Sequence, residues 1–573
     1  MTAVESARRI PAPHAVVALL VLLFLASGLR DLGRSPKVHE DESLIAAPGS
    51  LFARTGVFGS SLDPGFFGAE RHFYGFMPLF SMLVGASLRV FGTGLFQARL
   101  VPLAFATGVL LLTHVVACRL LTPWRGAVAV LVLTCAPVLS PVEHLRTGIP
   151  LFDVARLVRY DVAVAFFGLA ALCVLAPVLR DGEPPRPLRL FAVGALLGFA
   201  TLSHVYGAFW LAALLLAVAV ARGRTALRAT FLPCLSGFAL VLLPWVLAVA
   251  AGWEDFVGQN FSYGPRTALF DPGFVPRNLR GEVSRYALVV HAAMGHATPW
   301  IFVAAAAVGV ASFARAASRD AAARALLAVP AALAACFALF LQPKNVLYLA
   351  TLWPLFALAA ACGLASAWRA PARIARFARP AVVVLMFAVA GEGLASARRF
   401  FREADGMTPY ASFTAALARA IPRGVRVMGM QHWWLGLSEE FPDYVTVPLS
   451  RALASRTPHP VPFAEAADAL APRVFLLDPV LRAFLRDDAA PSGPIRALAA
   501  DVRAWLDRRG TLLATVEDPT YGRVEVYGIP AAGGRISETA RASTSSTETR
   551  TRQWRSPRAQ TGCMQAPQER SSL

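Results

Sequence analysis

Lysine and charge in general are scarce in this sequence. Lys37 and Lys344 are the two lysines among 573 residues, and charged side chains make up 16% of the chain against 56% hydrophobic. Such a composition lies outside the range of ordinary soluble domains. The net charge of +19 comes almost entirely from arginines that lie between apolar runs. Because they form no single patch, they indicate topology-setting charge, and no nucleic-acid partner is expected.

Paired cysteines and internal repeats are also missing. The seven cysteines form an odd set without CxxC spacing, and six of them lie in apolar runs. Neither a disulfide framework nor a zinc site is indicated by this spacing. We therefore expect the cysteines to be small core residues.

Long apolar runs dominate the first 400 residues. About eleven of them approach the roughly 17 to 25 residues that a membrane-spanning helix needs. They cover 14–29, 96–118, 127–141, 161–179, 188–203, 207–222, 229–251, 296–314, 322–341, 346–367 and 380–397. The run 78–92 is short and contains Arg89, which favours a re-entrant or interfacial helix. The fold class predicted is an all-α polytopic membrane protein with a small carboxyl-terminal α/β soluble domain.

The arginines predict the orientation of the chain. If 78–92 does not span, the connections on one side are 119–126, 180–189, 222–228, 315–324 and 368–379, and every one is arginine-rich. Cytoplasmic connections carry such an excess of positive charge. The amino terminus is therefore predicted to be cytoplasmic, with the first outer loop at 31–95. Alanine and arginine richness favours a bacterial inner membrane, with the outer side in the periplasm.

The composition changes after residue 399, where the predicted membrane domain 1–399 ends. Five short β-type runs follow, at 426–430, 444–449, 473–478, 511–518 and 523–529, with helical patterns at 463–471 and 495–509. They predict an α/β domain over 400–530 on the periplasmic side. The tail 531–573 is rich in Ser, Thr, Arg and Gln and is predicted to be disordered.

Polar residues gather on the predicted outer side. The stretch VHEDESLIAAPG (38–49) places Asp41 and Glu42 in the first outer loop, and Asp161 stands where a later outer loop re-enters the membrane. Each of these acids could simply begin a helix, as acidic residues prefer to do. Their occurrence on one side favours a site, because ionisable groups near a bilayer are functional candidates. The other polar residues assigned to this side are His72, Tyr74, His144, Arg159, His204, Tyr206, Lys344 and Tyr348.

These residue types suit one class of reaction. A carboxylate can take the proton of an acceptor hydroxyl or amine, while arginine and lysine stabilise a departing phosphate. Sugar transfer from a lipid phosphate has these needs, and it requires no general acid because phosphate leaves as a stable anion. Five of the polar residues, His72, Tyr74, His144, His204 and Tyr206, are candidates for lining the substrate cavity.

The order of several motifs resembles the GT-C superfamily of glycosyltransferases. HEDES is followed by FYGFMPLFSMLVGASLRVFG, by QARLVPLAFATGVLLL and by RYDVAVAFF, over a similarity that covers roughly residues 10 to 400. The pattern is most similar to the branch of protein O-mannosyltransferases and lipid A aminoarabinose transferases. That branch has a basic residue and two prolines before its re-entrant helix, whereas this chain has Gly75, Phe76, Met77 and Pro78.

The resemblance implies an inverting hexosyl- or pentosyltransferase that uses a polyprenyl-phosphate sugar and a glycan, lipid or protein acceptor. It implies Asp41 as the catalytic aspartate, Glu42 as its partner and Asp161 as the acid of the second outer loop. Arg159, Lys344 and Tyr348 are the candidates for the donor phosphate. Some members of the superfamily use a divalent metal, for which Asp41, Asp161 and a histidine could supply ligands, and the metal stays open here.

Two other functional classes fit a polytopic chain. A transporter or lipid flippase would place ionisable residues along a path across the bilayer. Here those residues crowd one side and hardly any lie at mid-membrane. A non-enzymatic anchor for the α/β domain would need one helix rather than eleven.

Overall fold

The computed structural model describes residues 11–138, 146–181, 186–262, 271–294, 296–342, 344–454, 461–486 and 493–531. Its membrane part contains helices α1 Ala12–Leu29, α2 Glu40–Thr55, α3 Pro78–Phe91, α4 Leu95–Leu120, α5 Pro123–Cys135, α6 Pro150–Val154, α7 Asp161–Asp181, α8 Pro187–Ser203, α9 Ala208–Ala251, α10 Trp253–Phe261, α11 Phe274–Ala293, α12 Ala297–Ala316, α13 Ala321–Phe340, α14 Trp353–Trp368 and α15 Ala372–Asp405.

The carboxyl-terminal part contains both helices and strands. Its helices are α16 Tyr410–Ala420, α17 Trp434–Leu437, α18 Leu449–Leu453, α19 Phe463–Ala469, α20 Pro479–Phe484 and α21 Pro494–Arg509. Its strands are β1 Val427–Gly429, β2 Val445–Thr446, β3 Val474–Leu477, β4 Thr511–Asp518 and β5 Gly522–Gly528. The predicted tail lies outside the described residues, except for residue 531.

The protein is a multi-pass membrane protein. Within the described residues, 7 helical segments are long and apolar enough to cross a bilayer, and α3, α5, α8 and α14 are shorter apolar helices. The long helix α9 counts twice, because Gly223 has φ +83° and ψ −179° and interrupts it. Glycine adopts this backbone conformation without the steric cost that a side chain would bring. With α5, α8 and α14 this gives eleven candidate spans when α3, the predicted re-entrant or interfacial helix, is left out.

Two segments differ from the expected helices. The predicted span 346–367 is a short 3₁₀ turn, Val346–Thr351, followed by α14, which begins at Trp353. Pro354 lacks a backbone N–H and is therefore suited to the first turn of a helix rather than its interior. Helix α11 was not predicted, because charged residues interrupt its apolar pattern; it buries Glu282 and Arg285 and leaves Val283 exposed.

The first outer loop contains a pair of helices that cross closely. Helix α3 is 14 residues long and packs on α2. A Cβ at Gly49 of α2 would lie 1.7 Å from the backbone oxygen of Ser81, and one at Gly85 of α3 would lie 2.0 Å from the oxygen of Gly49. Glycine at both positions lets the two backbones touch. This close crossing fixes α2 against α3.

Four arginines of the basic connections lie at one end of the helix bundle. Each donates from its guanidinium to the backbone oxygen of a residue in another helix, and three of the four acceptors lie near a helix end or beside the interruption at Gly223. The pairs are Arg119 to Cys173, Arg180 to Arg119, Arg222 to Val178 and Arg324 to Ala221. Carbonyl groups in the last turn of a helix lack intrahelical partners and attract cations. We call this the basic end of the bundle.

The strands form one mixed sheet in the order β2-β1-β3-β5-β4. Strands β1, β2 and β3 pair in parallel, whereas β5 pairs antiparallel to both β3 and β4. All five predicted strand segments are present. Phe463, Phe475, Val502 and Trp505 pack in a core of this domain. Helix α15 continues to Asp405, so the predicted boundary at residue 400 lies inside a continuous helix.

The α/β domain docks on the first outer loop. The backbone oxygen of Leu62 accepts hydrogen bonds from both the N–H and the hydroxyl of Thr446, at 2.7 and 2.8 Å. The ammonium of Lys37 lies 5.4 Å from the ring centroid of Tyr521. The domain therefore covers the end of the bundle opposite the basic end.

Candidate active site

The histidine and the three acidic residues of VHEDES form the start of helix α2. His39 caps the helix, since its Nδ1 accepts from the N–H of Asp41 at 3.1 Å, while its own N–H donates to Glu42 Oε1 at 2.9 Å. This capping box satisfies backbone groups that would otherwise lack partners. Helix initiation and a functional site are thus compatible here. The cap fixes the directions in which Asp41 and Glu42 point.

Glu42 points into the protein and pairs with Arg99 of α4. Both side chains are fully buried, and the guanidinium binds both carboxylate oxygens, at 2.8 and 2.6 Å. Burial alone would raise the pKa of Glu42, but the Arg99 guanidinium and the backbone N–H groups of His39 and Val158 together outweigh it and lower the pKa. The remaining donors of Arg99 bind the backbone oxygens of Leu32 and Pro36, both at 2.9 Å. We call this closed arrangement the Arg99 cluster.

Asp41 points the other way, toward Arg159 and Asp161. Arg159 Nη1 lies 2.8 Å from Asp41 Oδ2, and Arg159 Nε lies 2.9 Å from Asp161 Oδ2. The hydroxyl of Tyr206 donates to Asp161 Oδ1 at 2.7 Å. Burial alone would lower the pKa of Arg159, but Asp161, with Tyr160 and Asp41, outweighs it and raises the pKa well above its usual value. We call this set the Arg159 cluster.

Exposure separates the members of the Arg159 cluster. The side chain of Asp41 is 37% exposed, whereas those of Arg159 and Asp161 are 3% and 0% exposed. Asp41 is therefore the carboxylate that a substrate can reach. Asp161 is buried, so it can affect a substrate only through the side chains that it binds, Arg159 and Tyr206.

Aromatic rings surround the Arg159 guanidinium. Its carbon lies 5.4 Å from the ring centroid of Tyr160 and 5.7 Å from that of Tyr348. Tyr160 stacks on His204 with ring centroids 4.1 Å apart, and Tyr206 lies 5.5 Å from Tyr348. The rings come from the segment before α7, the turn after α8 and the turn before α14. Three distant parts of the chain thus meet at one end of the bundle.

Other predicted site residues lie elsewhere. Lys344 belongs to a second ion cluster: its Nζ lies 3.1 Å from Glu282 Oε2, and Arg285 also binds Glu282. His72 pairs with Asp255 at 3.6 Å and is largely exposed. Tyr74 packs on Trp245 and donates to the backbone oxygen of Ala248 at 2.8 Å. His144 lies outside the described residues.

Sequence reasoning gave no role to two residues of this region. Arg99 is one of the arginines in the apolar runs and is fully buried in α4. It belongs to the motif QARLVPLAFATGVLLL, and the cost of a charge inside a membrane helix is a signal that could have given it a role. Tyr160 precedes Asp161, and nothing in the sequence alone distinguishes it from other tyrosines.

The α/β domain adds a polar edge close to α2. His432 Nε2 lies 2.9 Å from Asp478 Oδ2, and both side chains are buried. Gln431 Nε2 donates to Glu40 Oε2 at 3.4 Å. Burial raises the pKa of Glu40, and His432 opposes this rise. The domain therefore contacts the same turn of α2 that presents Asp41.

A divalent metal does not fit between Asp41 and Asp161. Both carboxylates already pair with Arg159, whose positive charge would repel a cation placed there. In the described part of the chain, one group of three histidine, cysteine or carboxylate ligands converges within 4.8 Å, and it lies elsewhere. No metal step is derived for this site.

Comparison with solved structures identifies the fold. The chain resembles ArnT from Cupriavidus metallidurans in the apo state, with TM-score 0.60 and 14% identity over 90% of this chain and 98% of that one. The chain has a GT-C fold. It also resembles ArnT bound to undecaprenyl phosphate, with TM-score 0.53 and 14% identity over 89% of this chain and 97% of that one.

The GT-C fold extends to an archaeal structure. The oligosaccharyltransferase AglB from Archaeoglobus fulgidus, in complex with an inhibitory peptide and a dolichol-phosphate, matches with TM-score 0.54 and 12% identity over 91% of this chain and 74% of that one. No protein-family model and no curated protein sequence matches the chain. The similarity is therefore one of fold, with little sequence in common.

Proposed function

We propose that the protein is an inverting glycosyltransferase, which moves a hexosyl or pentosyl group from a polyprenyl-phosphate donor to an acceptor. The observation that supports this most strongly is the Arg159 cluster. An accessible carboxylate, Asp41, stands 2.8 Å from a buried guanidinium at the outer ends of the helices. A base beside a phosphate-binding cation is what this transfer needs.

Asp41 would act as the base. The acceptor hydroxyl oxygen attacks the anomeric carbon from the face opposite the phosphate, and the bond from that carbon to the phosphate oxygen breaks. The hydroxyl proton passes to Asp41, and the polyprenyl phosphate departs with the bonding electron pair. One displacement inverts the anomeric centre. The second carboxyl group that glycoside hydrolysis uses as an acid is not needed for this leaving group.

Arg159 would bind the donor phosphate. A guanidinium has five N–H donors, so Arg159 keeps donors beyond its two ion pairs. The Tyr348 ring lies beside it, 5.7 Å from the guanidinium carbon. Lys344 is a further candidate, because Lys344 and Arg285 share the one carboxylate of Glu282 and leave a surplus positive charge.

Glu42 and Asp161 would act through their partners. Glu42 also accepts the N–H of Val158 at 3.0 Å, so it ties the start of α2 to the segment that ends in Arg159. Asp161 fixes the guanidinium from the side away from Asp41. We therefore assign contact with substrate to Asp41 and positioning to Glu42 and Asp161. His204 and Tyr206 would line the cavity.

The neighbours in fold support a lipid-linked substrate. The ArnT structure holds undecaprenyl phosphate, and the AglB structure holds dolichol-phosphate together with a peptide. Two enzymes of this fold thus bind a polyprenyl phosphate. The ligands in those two structures do not decide whether the acceptor for this chain is a glycan, a lipid or a protein.

We place the Arg159 cluster on the periplasmic side of a bacterial inner membrane. The arginine-rich basic end lies at the opposite end of the bundle, and positive charge favours the cytoplasm. The amino terminus is then cytoplasmic, and the α/β domain is periplasmic.

The test is a donor assay on the full chain in nanodiscs. Wild type and Asp41→Asn are offered a panel of radiolabelled polyprenyl-phosphate sugars with a membrane extract as acceptor source. Donor binding and release of free polyprenyl phosphate are both measured. We expect both proteins to bind one donor and Asp41→Asn to release it about 10³-fold more slowly.

Asp31→Asn is the matched control. Asp31 lies in the same outer segment, pairs with Arg30 and Arg34 at 3.4 Å, and stands outside the Arg159 cluster. It should release the lipid phosphate at the wild-type rate. Equal release by Asp41→Asn, or failure of wild type to bind any donor, would contradict the proposal.

A further inference from the structure

A cluster of possible metal ligands lies far from the Arg159 cluster. His14 is in the first turn of α1, and His114 and Cys118 are one turn apart on α4. His14 Nδ1 lies 2.7 Å from His114 Nε2, which lies 3.5 Å from Cys118 Sγ. One ligand atom from each residue lies within 4.8 Å of the other two.

Protein hydrogen bonds alone leave this group poorly satisfied. An imidazole nitrogen in the ring plane has either one proton or one lone pair, so His114 Nε2 can bond well with only one of its two neighbours. The other ring nitrogen is covered by α5, since a Cβ at Gly126 would lie 2.5 Å from His114 Nδ1. All three ligand atoms therefore converge on one point beside Nε2.

The distances suit a tetrahedral zinc ion after a small shift. Zinc bonds of about 2.0 to 2.1 Å to nitrogen and 2.3 Å to sulfur place two tetrahedral ligands about 3.3 Å apart for two nitrogens and about 3.5 Å apart for nitrogen and sulfur. The sulfur to nitrogen separation of 3.5 Å already matches. The His14 ring must move outward by roughly half an ångström, and its partly exposed position in the first turn of α1 allows this.

The position of the cluster separates it from the transfer reaction. His114 lies about four helical turns, or roughly 22 Å, from Arg99 along α4. Cys118 precedes Arg119, which belongs to the basic end of the bundle. The cluster thus faces the side of the membrane opposite Asp41. It also joins α1 to α4, the two helices whose outer ends hold the Arg99 cluster.

We propose that His14, His114 and Cys118 bind one zinc ion at the basic end. Two imidazoles and a thiolate are ligands that zinc accepts, and a tetrahedral ion would keep a fourth position for water. Binding would fasten the first helix to α4. The sequence did not show this, because His14 and His114 stand 100 positions apart and no short ligand spacing links them.

The test uses cobalt as a spectroscopic probe for zinc. Full-length protein with a tag that contains no histidine is treated with chelator in nanodiscs and titrated with Co²⁺. We expect one Co²⁺ per chain, a thiolate-to-cobalt absorption band in the near ultraviolet, and loss of that band when one equivalent of Zn²⁺ is added. Cys118→Ser should lose the band, and His14→Ala should bind at least roughly tenfold more weakly.

Cys336→Ser is the matched control. Cys336 is a free cysteine in α13, outside the cluster, and its replacement should leave the band and stoichiometry unchanged. His14→Ala changes a partly exposed residue, so it stays informative if Cys118→Ser does not fold. Absence of stoichiometric binding by wild type, a band retained in Cys118→Ser, or wild-type affinity in His14→Ala would each overturn the proposal.

Discussion

Asp41 and Glu42 are neighbours in one helical turn, yet they belong to opposite kinds of ion cluster. Glu42 and Arg99 are fully buried and bind each other through two contacts, and Nη1 of Arg99 donates to two backbone oxygens. Asp41 has one contact with Arg159 and is 37% exposed. A closed ion pair fixes the backbone. An ion pair with one open side can change partners, and a substrate is such a partner.

The two clusters are also mechanically linked. Glu42 binds the N–H of Val158, and Arg156 binds the backbone oxygens of Gly28 and Ser35 at 2.7 Å. The segment after α1, the start of α2 and the segment before α7 are thus held together. The Arg99 cluster therefore sets the distance between Asp41 and Arg159. The matched variants below separate the two roles.

The largest expected effect is on stability, from Glu42→Gln. This change leaves Arg99 as a buried, unpaired charge, and breaking such a pair costs about 3 to 5 kcal/mol. We expect a marked fall in the thermal unfolding midpoint in detergent. Glu42→Gln combined with Arg99→Met should recover part of the loss, because no lone charge remains.

Glu40→Gln is the control in the same turn of α2. Burial raises the pKa of Glu40, whereas Arg99 and two backbone N–H groups together outweigh burial and lower the pKa of Glu42. A neutral side chain at position 40 should therefore leave the midpoint nearly unchanged. An equal loss in both variants would show that the buried pair is not the cause.

The next effect is on activity, from Arg159→Lys. An ammonium cannot present the planar fork that contacts Asp41 and Asp161 together. We expect turnover of the lipid-linked donor to fall roughly 100-fold, while the unfolding midpoint changes little. Arg99→Lys should do the reverse, lowering the midpoint. If Arg159→Lys lost activity only in proportion to the loss of folded protein, the Arg159 cluster would have a structural role like that of the Arg99 cluster.

A smaller effect is expected from Tyr206→Phe. The change removes the hydroxyl that donates to Asp161 at 2.7 Å, a bond worth about 1.5 kcal/mol or roughly tenfold in rate. Tyr74→Phe removes a similar hydrogen bond to the oxygen of Ala248, outside the Arg159 cluster. The ratio of the two turnover numbers measures what the bond to Asp161 contributes. A ratio near one would remove Tyr206 from the site.

The smallest effect is a pH dependence that belongs to the Arg99 cluster. The folded pKa of Glu42 lies below its usual value of 4.5, so its ion pair contributes stability that is present above that pH. The contribution is lost as the pH falls through the folded pKa. The difference in unfolding midpoint between wild type and Glu42→Gln should therefore narrow below pH 4.5. A constant difference down to pH 3 would contradict the assignment.

From the sequence, the level at which a residue lies in the membrane is predicted better than the helices that it faces. Apolar runs specify where each helix begins and ends, which is why the spans and strands were found. Arg159, His204 and Tyr348 could be assigned to helix ends on one side of the membrane, and they do meet at one end of the bundle. Lys344 was assigned to the same level but lies with Glu282. Which helices are neighbours depends on packing between residues far apart in the chain. Local patterns in a single sequence do not show it.

Charge and proline explain the remaining differences. Helix α11 has four charged residues in its first 12 positions, so no apolar run marks it, although two of them, Glu282 and Arg285, are buried. Pro354 divides what looks like one long span. Arg99 appeared as a motif member, and its role required the contact with Glu42. Residues whose function rests on one distant partner are the ones that local patterns miss.

The docking of the α/β domain has a consequence for how the protein is made. Leu62 leaves the ribosome long before Thr446, its hydrogen-bond partner, has been synthesised. The same order holds for Glu40 and Gln431. During synthesis Asp41 therefore lacks this cover until the α/β domain has formed. The protein is completed when the last part of the chain folds back on the first, and a chain that stops after α15 leaves that end open.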